Sequence, residues 1–347
     1  MVNSGPVLSH AGTGGAARLQ EQSDGGPPRW IGEDDVATLV SLPEAISATR
    51  DAYLRAAAGD IVPMPKTFAS WAGGSMHAIG AMAMSTGLAV SKTWAHTGGG
   101  ATPLLAAWDV DTGKLVAIIQ AFALGQLRTS AITGTATSIL AADHGHRLAV
   151  IGSGKQAEGQ IAAVAAVREI QDIAIYSPTA EHRTTFAQKI SERSGIAARA
   201  ASSVAEAVDQ ADVIVTVTRA TEPFINTSML ADRVHINAVG AITPERAELE
   251  PAVVAQARRV VADDVAAARR LSPRELSATT APHVLSLGLV LASNERLEGD
   301  GLTIFKALGT GISDLAVAEV VFERAIAANV GRKLSVSPRH QPRLWSN

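Results

Sequence analysis

Leu148-Ala149-Val150-Ile151-Gly152-Ser153-Gly154-Lys155-Gln156-Ala157-Glu158-Gly159, followed by the apolar run Ile161 to Val167, reads as a strand, a glycine turn and a helix. Gly152 permits the tight turn, Gly154 lets a pyrophosphate approach the backbone, and the small Ala157 lets helix and strand pack closely. Ser153, Lys155 and Gln156 complete the turn, and the helix N-terminus faces the phosphates. A lone GxGxxA is a weak signal, but this one opens a βαβ unit of the length a dinucleotide site requires. Around it, candidate strands at Arg147 to Ile151, Asp172 to Tyr176, Val213 to Thr216, His235 to Ala238 and Arg259 to Ala262 alternate with helical segments. That rhythm predicts a doubly wound parallel α/β sheet of Rossmann type.

The end of the second strand distinguishes the two nicotinamide cofactors, because a carboxylate there holds the ribose hydroxyls of NAD and repels a 2′-phosphate. Here the strand ends Ile175-Tyr176-Ser177-Pro178-Thr179, and Asp172 lies at its start. Ser177, Thr179 and Arg183 remain, so NADP is favoured and NAD is the second choice. The plainer alternative makes Thr179 a helix cap and Arg183 a surface charge. Thr216-Val217-Thr218 and Val239-Gly240 follow later strands, where such a sheet presents its cofactor. Gly240 is either a close neighbour of the nicotinamide or an ordinary loop glycine.

Before this unit the pattern is different. Trp30-Ile31-Gly32 precedes two helical stretches, and short strands follow at about His77 to Ala83, Ala89 to Trp94, Leu104 to Asp109 and Leu115 to Gln120. Pro63 and Pro65 enforce extended backbone. Asp109-x-Asp111 resembles the start of a calcium loop, but Lys114 and Gln120 stand where glycine and glutamate are needed, so a hairpin turn is expected. Asp143-His144-Gly145-His146 is assigned to a loop, and no metal site is expected. The expected organisation is an extension over residues 1–29, a smaller α+β substrate and dimerisation domain over 30–125 with 312–345, and a Rossmann domain over 126–311.

The 347 residues are 47% hydrophobic and 18% charged, with a formal net charge of −3 and no cysteine. A core is readily built, while disulfides, thiolate nucleophiles and Cys-based zinc sites are excluded. No apolar run approaches the ~18 residues of a membrane span, and the charge supplies no field for nucleic acid. Neither a membrane nor a nucleic acid is an expected partner. The first thirty residues lack a secretory pattern, and the expected compartment is the cytoplasm.

Leu124-Gly125-Gln126-Leu127-Arg128-Thr129-Ser130-Ala131, the turn at Gly152, His235-Ile236-Asn237-Ala238-Val239-Gly240-Ala241 and Ile304-Phe305-Lys306-Ala307-Leu308-Gly309 with Asp314 together resemble the ornithine cyclodeaminase and mu-crystallin family over roughly Ile31 to Arg332. The resemblance implies a homodimer, Lys92 as the active-site lysine, and Arg128 as a ligand of the substrate carboxylate. On the residues alone, the favoured readings are Lys92 as a solvated strand-edge charge and Arg128 as a helix residue in an ion pair, and the resemblance reverses that for Arg128 and strengthens the case for Lys92. Lys66 stands where the family's cyclodeaminases have a second arginine, and it keeps the charge without the two-pronged geometry. Ile242 replaces their aspartate.

These departures favour NAD(P)H-dependent reduction of a small imino acid, as by a ketimine reductase or amino-acid dehydrogenase, with Glu245 or Glu248 assisting Lys92. The alternatives are an ornithine or lysine cyclodeaminase that recycles NAD, and a noncatalytic NADP-dependent binder of small molecules.

Overall fold

Alternating burial builds one of the two sheets and continuous burial the other. The computed structural model describes residues 26–143, 146–276, 283–293, 301–338 and 340–345. His144 and Gly145 of the Asp143–His146 stretch, and most of the N-terminal extension, lie outside the described residues.

The first sheet comprises β1 (Arg29–Ile31), β2 (Ile61–Trp71), β3 (Gly74–Ala83), β4 (Leu88–Thr97), β5 (Gly100–Ala101), β6 (Leu104–Asp109), β7 (Leu115–Gln120) and β16 (Arg332–Lys333). Its order is β16-β1-β7-β6-β4-β3-β2, with β5 beside β4, and only the β1–β7 pairing is parallel. Along β4, Leu88, Val90 and Lys92 are buried while Ala89 and Ser91 are less so, the two-residue alternation of a strand with one covered face. Lys92 therefore occupies a core position, not a solvated edge. Between β6 and β7, Thr112 N–H and Oγ1 donate to Asp109 Oδ1 at 2.6 and 2.5 Å, and Gly113 takes φ +65°. This is the expected hairpin turn.

On the covered face lie α1 (Glu33–Leu39), α2 (Leu42–Ala57) and α10 (Gly311–Ala327). Ser41 and Glu44 form a reciprocal capping box at the start of α2, with Pro43 in its first turn. The start of α10 crosses β3 at glycine on both sides. A Cβ on Gly311 would lie 1.8 Å from the carbonyl oxygen of Gly80, so any other residue pushes the helix off the sheet.

The second sheet contains β8 (Arg147–Ile151), β9 (Asp172–Tyr176), β10 (Ala197–Ala200), β11 (Val213–Thr216), β12 (Val234–Ala238), β13 (Arg259–Ala262), β14 (Val284–Ser286) and β15 (Leu302–Lys306). All its pairings are parallel, in the order β10-β9-β8-β11-β12-β15-β13-β14. Every residue of β11 and β12 is buried, as both-face coverage requires. Helices α4 (Ala157–Ala165), α5 (Ala180–Ser194), α6 (Val204–Val208), α7 (Pro251–Gln256), α8 (Val265–Leu271) and α9 (Leu287–Ser293) make the crossovers.

Three features depart from the sequence reading. Arg29, assigned to the extension, begins β1, where its guanidinium donates to the Val330 carbonyl and Asn329 Oδ1 at 2.8 and 3.0 Å. β15 inserts between β12 and β13, because its buried Thr-Ile-Phe-Lys run pairs with both neighbours. The expected boundary between residues 125 and 126 falls inside α3 (Phe122–Leu140), which packs on α2 and α10 on one side and on α4, β12 and β15 on the other. With buried residues around much of its circumference, α3 belongs to both cores.

Gly311→Ala is expected to lower the unfolding free energy by about 1–3 kcal/mol or more through overpacking. The midpoint of denaturant unfolding, compared with that of Gly154→Ala, whose added Cβ meets open space, measures it.

Candidate active site

A cavity of about 920 Å³ opens where β8 and β11 diverge, between the two sheets. One end is the glycine turn after β8. Gly152 takes φ +121°, and a Cβ on it would come 2.6 Å from the Val217 carbonyl oxygen, so only glycine fits. Gly154 has nothing within 4 Å of a built Cβ, which leaves its backbone open to a ligand. Ser153, Gly154, Lys155 and Gln156 line the cavity, while Ala157 is buried where α4 meets the sheet. This open turn at a helix N-terminus fits a dinucleotide diphosphate.

Beyond the turn, Ser177 and Thr179 form part of the wall. Ser153 Oγ donates to Ser177 Oγ at 3.0 Å, and Arg183 donates to the Ser177 carbonyl at 3.0 Å while stacking over Tyr176. Arg183 thus braces the loop from outside the cavity wall. Asp172 sits at the far end of β9 beside Arg199, 3.9 Å away. No aspartate or glutamate is among the lining residues.

Val217, Thr218, Val239 and Gly240 also line the cavity, whereas Thr216 is fully buried. The reason is Glu248. Its Oε1 accepts Thr218 N–H and Oγ1 at 2.7 and 2.8 Å, and its Oε2 accepts Thr216 Oγ1, Gly240 N–H and Ala241 N–H at 2.9, 2.9 and 3.2 Å. Five donors stabilise this buried carboxylate and leave it no lone pair for a substrate. Glu248 is a brace between two cofactor loops, not the assistant expected from its position. Glu245 is exposed, accepts from Thr243 Oγ1 at 2.6 Å and does not line the cavity. Gly240 is required, since a Cβ there would be 2.3 Å from Glu248 Oε1 and from the Thr218 backbone.

The other end gathers cations. β2 breaks register between Met64 and Thr67, and this bulge turns Lys66 toward the cavity. Arg128, on the first turns of α3, also reaches it. Gly309, at φ +82°, makes room for Arg128, whose Nη1 would lie 2.8 Å from an added Cβ. Behind the wall, Lys92 Nζ donates to Asp314 Oδ1 at 2.5 Å, and the same oxygen is 3.5 Å from Arg128 Nε. Both groups of the Lys92–Asp314 pair are buried, and Lys92 Nζ sits 5.3 Å from the ring centroid of Trp94, a wall residue. Burial, and after it the Arg128 charge, lowers the Lys92 pKa to about 8. The same two causes lower Lys66 to about 8. Arg128 contacts a buried carboxylate and also faces the cavity.

Several wall residues carried no recognisable signal: Trp94, His182, Arg219 and Arg246. Asp263 was missed too. It accepts Leu308 and Gly309 N–H at 2.8 and 2.7 Å, which holds the loop beneath Arg128, and burial raises its pKa to about 6. Among the described residues no cluster of three or more metal-ligating side chains occurs, and no helix is long and apolar enough to cross a membrane.

The family model for ornithine cyclodeaminase and mu-crystallin matches residues 33–329. Delta(1)-pyrroline-2-carboxylate reductase of Bacillus cereus is 35% identical over 235 residues, covering 65% of this chain and 72% of that protein. Alanine dehydrogenase of Archaeoglobus fulgidus is 30% identical over 319 residues, covering 87% and 96% respectively. Among solved structures, an archaeal alanine dehydrogenase dimer with bound NAD superposes with a TM-score of 0.82 at 28% identity, covering 89% of this chain and 99% of that one. With its glycine turn, its arginine on α3 and its buried lysine–aspartate pair, the chain belongs to the ornithine cyclodeaminase/mu-crystallin family.

Proposed function

We propose that the protein reduces the C=N bond of a small imino acid, using NADP in preference to NAD. The observation that carries this reading is one cavity joining an open glycine turn to Arg128 and to the Lys92–Asp314 pair behind its wall. A reduced nicotinamide held at the glycine turn would supply a hydride to the imine carbon. Arg128, with Lys66 beside it, holds the substrate carboxylate, and the planar guanidinium sets its orientation. As the hydride adds, the π electron pair of the C=N bond moves to nitrogen, which takes a proton originating at Lys92 Nζ. Lys92 suits that task because its pKa of about 8 lies near the working pH. Solvent then reprotonates it.

Two observations support the finer choices. The cavity has no carboxylate at the end of β9, where Ser177 and Thr179 would face a 2′-phosphate. It has none at its cationic end either, and Ile242 lines the position of the cyclodeaminase aspartate. The terminal ammonium of ornithine or lysine therefore finds like charge and no counterion, which argues against cyclodeamination. We further propose a homodimer formed through the first sheet with α10, the residues 30–125 with 312–345, α3 being shared with the dinucleotide domain of residues 126–311. Exposed Val62, Met64, Phe68, Trp71 and Met76 on β2 and β3 favour it.

Purified protein is expected to oxidise NADPH when given pyrroline-2-carboxylate, piperideine-2-carboxylate, or a 2-oxo acid with ammonia. A tight NADPH complex inert toward the whole panel selects the noncatalytic alternative, and ammonia released from ornithine without NADH accumulation selects cyclodeamination. Lys92→Met should lower kcat by about 100-fold or more, the scale of a positioned proton donor. Because the donor must be protonated, wild-type kcat/KM for reduction should be flat below the Lys92 pKa of about 8 and fall with rising pH above it. The reverse oxidation should rise over the same interval, and a pH series of initial rates in both directions checks the sign.

Ser177→Asp should shift the NADPH:NADH affinity ratio at least about tenfold toward NADH, roughly 1.4 kcal/mol, as a carboxylate repels the 2′-phosphate. Fluorescence titration with both cofactors measures it, and a wild type that prefers NADH overturns the NADP assignment.

A further inference from the structure

Resting on the imine-reductase reading, the charges at the substrate end of the cavity point to a substrate class: we infer that the protein acts on a dicarboxylic imino acid, whose second carboxylate is taken by Arg246 with Lys66 between the two acid groups.

Arg246 stands on the loop after β12, four residues beyond Ile242, and lines the cavity. Lys66, Arg128 and Arg246 all line this cavity, so three cations share it, and the Lys66 pKa, lowered first by burial and next by Arg128, is lowered slightly further by Arg246. Only Arg128 among them has a carboxylate in ion-pair range. Arg128 has Asp314 at 3.5 Å, whereas neither Lys66 nor Arg246 has a carboxylate within 4 Å among the described residues. Glu245, next to Arg246 in sequence, is exposed, accepts from Thr243 Oγ1 and makes no ion pair with Arg246, so it screens that charge only from the solvent side.

The bookkeeping of charge then sets the ligand. Asp314 and Asp263 carry two negative charges against the four cations Lys92, Arg128, Lys66 and Arg246, which leaves two positive charges in excess. Like charges held together in a partly dry cavity cost free energy unless an anion joins them. A monocarboxylate with a neutral remainder leaves Arg246 uncompensated, while a diamino acid adds a further positive charge. A second carboxylate removes the excess, and a guanidinium offers it a two-pronged partner. The cofactor phosphates do not account for Arg246, because Lys155 and Arg219 lie with the glycine turn and the β3–β4 tip, in a side opening that Arg246 does not line. The intervening wall of Ile79, Trp94 and Leu308 is apolar and suits a short carbon chain.

The test compares imines formed by ammonia with oxaloacetate or 2-oxoglutarate against those from pyruvate or 2-oxobutyrate, alongside cyclic pyrroline-2-carboxylate. The dicarboxylic imines are expected to show kcat/KM at least tenfold higher. In Arg246→Leu the ratio of dicarboxylic to monocarboxylic kcat/KM should fall at least thirtyfold, mainly through KM, and Arg246→Lys should restore part of it. NADPH oxidation that favours pyruvate, 2-oxobutyrate or the cyclic imine overturns the inference and leaves imine reduction standing. If no imine is reduced, that reading fails and binding decides the inference. Calorimetric titration of the NADPH complex should then show succinate binding at least tenfold tighter than butyrate, with the difference lost in Arg246→Leu, and equal binding of the two acids overturns it.

Discussion

A lysine and an aspartate removed from water together set the terms for the rest of this molecule. Desolvating two charges costs several kcal/mol per ion, and their attraction repays the cost only in good geometry. Here the geometry comes from both cores. Strand alternation on β4 turns Lys92 inward, and the Gly80–Gly311 crossing lets α10 descend far enough to bring Asp314 against it. Arg128 then approaches the same carboxylate oxygen from α3. Burial first, and then the Arg128 charge that one aspartate shared with Lys92 does not fully offset, leaves the Lys92 proton held less tightly than in water.

The second constraint is Glu248, which fixes the distance between the loops after β11 and β12. By accepting from both, it holds Thr218 and Gly240 at the spacing where a Cβ on the glycine no longer fits. A further buried carboxylate, Glu275, accepts the N–H groups of Glu248 and Leu249 at 2.8 and 3.2 Å and pairs with Lys306. This tier explains why a lysine ends β15 in the core. It also separates roles, since the acids near the cofactor loops are spent on positioning and Lys92 is left as the group with a proton to give.

The elements legible in the sequence were those whose signal is local. The strand, glycine turn and helix around Gly152 depend on residues within one βαβ unit, and the hairpin at Asp109–Gly113 depends on four neighbours. Lys92 was harder, because a lysine in an alternating strand reads as solvated unless its distant partner is known, and Asp314 is 222 residues away. Thr216 was placed beside the cofactor by its position at a strand end, but a hydroxyl turns toward whichever acceptor is closer, and Glu248 lay out of view. The division at residue 125 cuts through α3 for a related reason. A helix buried on several sides shows no single apolar stripe, so nothing local announced that α3 serves two cores. Arg246 had no motif at all, and only the fold brings it to Lys66.

The same charges bear on how ligands arrive. The chain as a whole carries a formal charge of −3, yet the cavity is lined by Lys66, Arg128, Lys155, Arg219 and Arg246 and by no acidic residue. Negative charge has been moved to outer surfaces or buried in pairs and braces, so a positive cleft is set in a weakly negative body. Low-dielectric walls focus such a field at the mouth of the cleft. Cofactor phosphates and substrate carboxylates are drawn to opposite ends of one opening, while cations meet a barrier before any contact forms. On the proposed reading, selection against a second ammonium, as in ornithine or lysine, begins in the approach, and Ile242 at the cyclodeaminase aspartate position offers it no counterion in the wall.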